Sequence, residues 1–189
     1  MADFFELLKT RRSIRQFEDR KVSLETIREI IRESCLAPSA ANRQPWKFII
    51  VQNRNFIKRL SDESKKNILA FIEQNPDSSS KQYEVAMRNP DFNVFYNAPS
   101  LVFIVGSKET RNLYVDCTLA AGYFMFCASA RDLGTCWVGL GESIYDPALL
   151  ERMGMPDNHK IVAPLILGYP KNIPAIPERM EPSILNIVS

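Results

Sequence analysis

The chain reads as an α+β protein, a small mixed sheet flanked by helices, and three observations carry that reading. Apolar segments with helical spacing alternate with a few short β-branched or aromatic runs. One helical stretch, inside Asn112 to Gly141, is apolar nearly all round and so calls for burial on every side. The glycine pattern of a larger parallel sheet is missing: the only GxG is Gly139 to Gly141, with Ile144 where the third glycine of a dinucleotide fingerprint would stand.

The elements follow in order. Asp3 to Thr10 places Phe4, Phe5, Leu7 and Leu8 at helical spacing. Ser23 caps a predicted helix from Leu24 to Leu36, which Pro38 stops. Ser39 to Pro45 is a polar loop, Trp46 to Gln52 has strand composition, and Asn53 caps a helix from about Asn55 to Gln74. Asn75 to Asn97 lacks a regular pattern and is expected to be a mobile lid or an irregular excursion. Leu101 to Gly106 fits a strand buried on both faces. The apolar helix, from Val115 to Leu133, closes at Gly134, and Thr135 to Leu140 continues as a short strand or extended turn. Asp146 and Pro147 start a helix that ends near Met153, ahead of Gly154, and Lys160 to Leu167 is a further strand. Prolines at 170, 174, 177 and 182 make the tail, 169–189, an extended arm with an apolar end at Ile184 to Val188.

Length and charge narrow the function. A chain of 189 residues fits a single domain, 1–189, able to bury roughly 70% of its unfolded surface. A formal charge of +2 argues against a nucleic-acid binder that works by phosphate neutralisation. Four cysteines without CxxC spacing and one histidine, His159, leave little material for a metal site, so the thiols are expected buried and reduced. Neither a charged-then-apolar leader nor a membrane-spanning run is present, and the cytoplasm is the expected location. Because one small domain can hardly wrap the apolar helix completely, that helix and the apolar tail tip point to a second copy of the chain.

Three segments can carry chemistry. Arg11, Arg12, Ser13 and Arg15 put three guanidinium groups and a hydroxyl within five residues, an anion grip suited to phosphate. Taken alone, the same cluster could be a solvated basic turn. Pro38 to Trp46 sets Ser39, Asn42 and Gln44 between prolines, and amide side chains can meet both donor and acceptor edges of a heterocycle. The glycines of Thr135 to Gly141 would let a flat ligand approach the backbone. Phosphate grip, heteroaromatic edge and close backbone approach are jointly what a mononucleotide needs.

RRSIRQF near the N-terminus, APSAANRQPWKFIIV, the D-x-x-x-A-A-G helix running into DLGTCWVGLG, and the late LILGYP together resemble the FMN-dependent nitroreductase family, from Phe4 to Arg179. The resemblance implies an α+β sandwich with a mostly antiparallel sheet, an intertwined homodimer, two FMN sites at its interface, and an arm 169–189 that wraps the partner. It assigns Arg11, Arg12, Ser13 and Arg15 to the FMN phosphate, ribityl chain and pyrimidine edge. Pro38, Ser39, Ala40, Asn42 and Gln44 become the loop contributed by the opposite subunit, and Gly139, Leu140 and Gly141 the turn facing flavin N5. Arg179 fits one of two basic tail positions that complete the phosphate site, while Pro177 occupies the other, a departure for which Arg12 could compensate.

The implied function is an FMN-dependent oxidoreductase. It would take a hydride from NADH or NADPH and reduce small electron-poor acceptors, nitroaromatics or quinones, by a ping-pong mechanism in which the flavin carries the chemistry. No nucleic acid, membrane or metal is expected to take part. Alternatives are a reductive dehalogenase or flavin-consuming enzyme of the same superfamily, an FMN storage or redox-sensing protein without turnover, and a basic-patch binding module without flavin.

Overall fold

The computed structural model describes residues 3–188. Four strands form one sheet in the order β1 (Lys47–Val51), β2 (Ser100–Ser107), β4 (His159–Gly168), β3 (Gly134–Trp137), and every ladder is antiparallel. Parallel pairing among the described residues is confined to one isolated bridge, Ser13 to Thr135. This bridge matters for the site. It lays residues 13–18 along the free edge of β3, continued by hydrogen bonds from Ile14 N–H to the Thr135 carbonyl and from Glu18 N–H to the Tyr169 carbonyl, each 2.9 Å. An otherwise open sheet edge is thereby covered. Gly134 permits the approach, since a Cβ there would overlap the side chain of Ile14.

Strand β2 is buried on both faces, as a continuous apolar run requires. Leu101, Phe103 and Val105 pack toward α3 (Arg54–Gln74) and α6 (Pro147–Arg152); Val102 and Ile104 pack toward α2 (Leu24–Ser34) and α5 (Leu113–Ser129). Helices on both faces make three layers. α1 (Phe4–Thr10) stands outside with no buried residue, and α4 (Glu84–Arg88) is a short turn inside the 75–97 stretch. The expected caps form: Ser23 accepts from Thr26 N–H, Asn53 from Phe56 N–H and Asp146 from Leu149 N–H. Asp3 caps α1 in the same way.

One sequence expectation needs correction. The 75–97 stretch is no loose excursion. It holds a 3-10 turn, Ser79–Tyr83, followed by α4, and it sinks Met87, Val94 and Phe95 into the α3-side core at 0–1% exposure. Of its aromatics Phe95 is a core anchor, edge-on to Phe103 at 6.0 Å. The burial of α5 is one-sided in the single chain, in keeping with a helix that one small domain can hardly wrap. Leu113, Cys117, Ala120, Ala121, Phe124 and Ala128 are buried, while Tyr114, Val115, Leu119 and Tyr123 lie exposed on the other face.

All four cysteines are free; Cys117 and Cys136 are buried, and burial pushes the Cys117 thiol up to about 12. Residues 171–188 carry no helix or strand and are exposed throughout, including Ile173, Ile176, Met180 and Leu185. Among the described residues no helix is long and apolar enough to cross a membrane.

Candidate functional site

The end of α1 and the covered edge of β3 bring the first basic segment together. Arg12 is buried at 9% exposure, and its guanidinium donates to the carbonyls of Lys9 and Arg11, so it caps α1 from below. Its Nε has no partner. Arg11 lies over the Phe126 ring of α5 at 5.9 Å. Burial, then the neighbouring charges of Arg12 and Arg179, lower the Arg11 pKa. Three guanidinium groups thus gather, and none of them pairs with a carboxylate among the described residues. Such a cluster is repulsive by itself and is relieved by an anion placed among them.

Next along the strand, Ser13 bridges to Thr135, whose buried hydroxyl oxygen is likewise without a partner. Arg15 stands over the Tyr96 ring at 5.7 Å. The Cys136 thiol lies among this segment; burial raises its pKa, while Arg15, Ser13 and Arg11 pull it down. Arg15, Gln16, Asp91, Asn93, Tyr96, Asn97 and Lys171 line an open cleft of about 530 Å³. Of these, the sequence points to Arg15 and, among the aromatics of the 75–97 stretch, to Tyr96, but not to the polar residues Gln16, Asp91, Asn93, Asn97 and Lys171. Tyr96 and Asn97 sit at φ +53°, a left-handed bend that asparagine signals in a sequence and tyrosine does not.

The glycine turn follows β3 directly as a 3-10 turn, Gly139–Glu142. Gly141 is buried under Phe95 and Pro164, where a Cβ would collide, and its N–H is already donated to the Val138 carbonyl at 2.9 Å. Gly139 faces open space. The N–H groups of Gly139 and Leu140 meet no acceptor among the described residues, so two of the three turn residues present free donors. Ser64 of α3 donates its hydroxyl to the Leu140 carbonyl and fixes the turn from behind. Beside it, burial raises the Glu142 pKa, partly offset by Trp137 and Lys160.

The Pro38–Gln44 loop stands elsewhere. Ala41, Asn42 and Gln44 all have φ between +46° and +53°, a strained path for residues other than glycine. Local bonds hold it: Gln44 N–H donates to Ser39 Oγ at 3.0 Å and Gln44 Nε2 to Asn42 Oδ1 at 2.9 Å. Ala40 N–H donates to the buried carboxylate of Asp116 at 3.0 Å, near the start of α5. Arg11 packs on Phe126 of the same helix, ten residues further on, about 15 Å along the axis at 1.5 Å per residue. Within one chain, Arg11, Arg12, Ser13, Arg15, Gly139, Leu140 and Arg179 therefore share a region, and Pro38, Ser39, Ala40, Asn42 and Gln44 lie at the opposite end of α5.

Comparison with known proteins agrees with this architecture. A relative from Archaeoglobus fulgidus, provisionally named NADH dehydrogenase/NAD(P)H nitroreductase, is 32% identical over 174 residues, covering 91% of this chain and 88% of the relative. Iodotyrosine deiodinase of Drosophila melanogaster is 28% identical over 208 residues, covering 97% and 68% of the two chains. The nitroreductase of Bacteroides fragilis NCTC 9343, solved with bound FMN, superposes over the whole of both chains with a TM-score of 0.82 at 21% identity, a likeness of fold. The Nitroreductase family pattern itself matches residues 8–169, which takes in the basic segment, the loop after α2, the glycine turn and all four strands: the chain belongs to the nitroreductase family.

Proposed function

We propose that the protein is an FMN-dependent oxidoreductase that draws reducing equivalents from NADH or NADPH and delivers them, in a second half-reaction, to a small electron-poor acceptor such as a nitroaromatic or a quinone. The observation that carries the reading is the trio Arg11, Arg12 and Arg179, gathered without a counter-ion beside a strand and a turn with unused hydrogen-bonding groups. FMN fits it. The phosphate would lie among Arg11, Arg179 and Ser13, with Arg12 adding charge while it locks the end of α1. When bound, FMN supplies the hydride-accepting and hydride-donating centre.

The chain's own residues bind and orient. Arg15 would set positive charge at the pyrimidine edge, where negative charge develops on reduction, and the free N–H groups of Gly139 and Leu140 would face N5. No side chain need act as an acid or base. Completion of the site asks for a second copy, because Asp116, which holds Ala40, and Phe126, which carries Arg11, stand about 15 Å apart along α5 in one chain. The exposed apolar face of α5 is where the two copies would meet, and the arm 169–189 would reach across.

The test is an anaerobic visible spectrum of the purified protein after incubation with FMN and desalting, recorded before and after NADH and then NADPH. Retained flavin bands that bleach within seconds support the enzyme, bands that persist with both donors move the reading to storage or sensing, and a colourless protein overturns FMN binding. The Drosophila relative favours one second reading, reductive dehalogenation. Release of iodide from 3-iodotyrosine by the reduced protein, two electrons and a proton replacing iodide by hydrogen, would select it.

A further inference from the structure

We propose that α3 is a gauge that holds the two polar walls of the flavin site at a fixed separation, with Ser64 and Lys65 as its positioning residues. The inference rests on the FMN reading above and gives roles to side chains which that reading leaves idle. Four polar residues in the middle of α3, Ser61, Glu63, Ser64 and Lys65, are at least nine-tenths buried, an expensive arrangement unless each finds a partner. Glu63 is held within the helix by Lys66 and Asn67, whereas the partners of Ser61, Ser64 and Lys65 lie outside it, on two separate segments.

Lys65, 8% exposed, donates from Nζ to the carbonyls of Asn89 at 2.6 Å and Phe92 at 3.1 Å, with no carboxylate partner among the described residues. One turn earlier, Ser61 Oγ accepts the Val94 N–H at 2.9 Å. Together they fix residues 89–94, which carry Asp91 and Asn93 to the cleft wall and lead into Tyr96 and Asn97. The neighbouring stripe of α3 holds the glycine turn. Ser64 donates to the Leu140 carbonyl, and Asn67, whose amide is also held by Glu63 at 2.7 Å, donates to the Ser143 carbonyl at 2.9 Å. These bonds fix the turn whose Gly139 and Leu140 N–H groups are free.

Because Ser64 and Lys65 are consecutive, one rigid helical peptide sets the distance between the walls, and the long 75–97 connection does not. A flat ring read on two edges needs its walls placed within roughly 0.5 Å. A fully satisfied buried network supplies that rigidity.

The experiment uses the full chain reconstituted with FMN, as wild type, Ser64→Ala, Lys65→Met, Lys65→Arg and the Ser64→Ala/Lys65→Met double variant. FMN dissociation constant, flavin midpoint potential, apoprotein melting temperature and hydrogen exchange are measured on each. Each of Ser64→Ala and Lys65→Met is expected to weaken FMN about tenfold and to shift the potential. The double variant should fall short of or exceed the sum of the two. Exchange should quicken at 139–143 in Ser64→Ala and at 89–97 in Lys65→Met, and Lys65→Arg should restore part of the affinity.

Wild-type affinity and potential in both single variants, whatever happens to the melting temperature, would reduce these residues to structural ones and overturn the proposal. If Lys65→Met does not fold, Ser64→Ala and Lys65→Arg decide on the same readouts. A wild type that retains no FMN overturns the flavin reading and this inference with it, whereas a yellow wild type with unshifted variants overturns this inference alone.

Discussion

Arg11 and Arg12 are adjacent and chemically alike, yet their surroundings divide the work. Arg12 is consumed by backbone carbonyls at the end of α1, whereas Arg11 faces Arg12 and Arg179 with no acceptor of its own. A site built to hold an anion carries that repulsion when empty. Arg11→Met is therefore expected to raise the apoprotein melting temperature while weakening FMN on the order of tenfold, and thermal melts with and without FMN would check both signs. Glu142 makes a prediction in pH. Its pKa is raised by burial, so the fold favours the neutral carboxyl: the stabilisation is complete below the unfolded-state value and is lost as pH rises through the folded-state value. Glu142→Gln, which never ionises, should match wild type at pH 4 and be the more stable of the two at pH 8 in urea unfolding.

Elements differ in how openly they were written. The caps Ser23, Asn53 and Asp146 were legible because a short polar side chain ahead of an apolar period has one efficient use. Strands β2 and β4 were legible for the same economy, a continuous apolar run too short for a buried helix. The basic segment and the glycine turn showed in sequence as well, but of the wall that faces Arg15 only the aromatics of the 75–97 stretch did, and its polar residues did not. Asp91, Asn93, Tyr96 and Asn97 sit in a stretch whose anchors, Met87, Val94 and Phe95, follow no helical or strand period, so local pattern hides their burial. What holds that stretch is α3, through bonds of sequence separation 24 to 33 that no window can read. The wall thus belongs to the core. Phe95→Ala should cost about 3–4 kcal/mol in urea unfolding, as a fully buried aromatic in contact with Phe103 and Gly141 requires, where a loose lid would lose a few tenths.

At the scale of the whole molecule, α5 poses a contradiction that the proposed second copy would resolve. Its composition asks for burial all round, while the single chain covers one face and leaves Tyr114, Val115, Leu119 and Tyr123 in water, beside Phe4, Phe5 and Leu8 of α1. The tail, 171–188, is itself exposed, its apolar end Ile184 to Val188 included. The same helix separates the two halves of the proposed site, with the Pro38–Gln44 loop tied to Asp116 and Arg11 lying at Phe126. Two copies packed with α5 antiparallel would bury the apolar faces and bring each loop to the other's arginines in one step, so dimerisation and FMN retention should fail together. Leu119→Asp sets a charge on the outer face of α5, one turn from the Asp116 that anchors Ala40, and leaves the buried face untouched. Sedimentation should find it folded and monomeric, and desalting after FMN incubation should leave it colourless. A monomer that stays yellow would mean that one chain completes the site, and the role given to Ser39, Ala40 and Asn42 would fall.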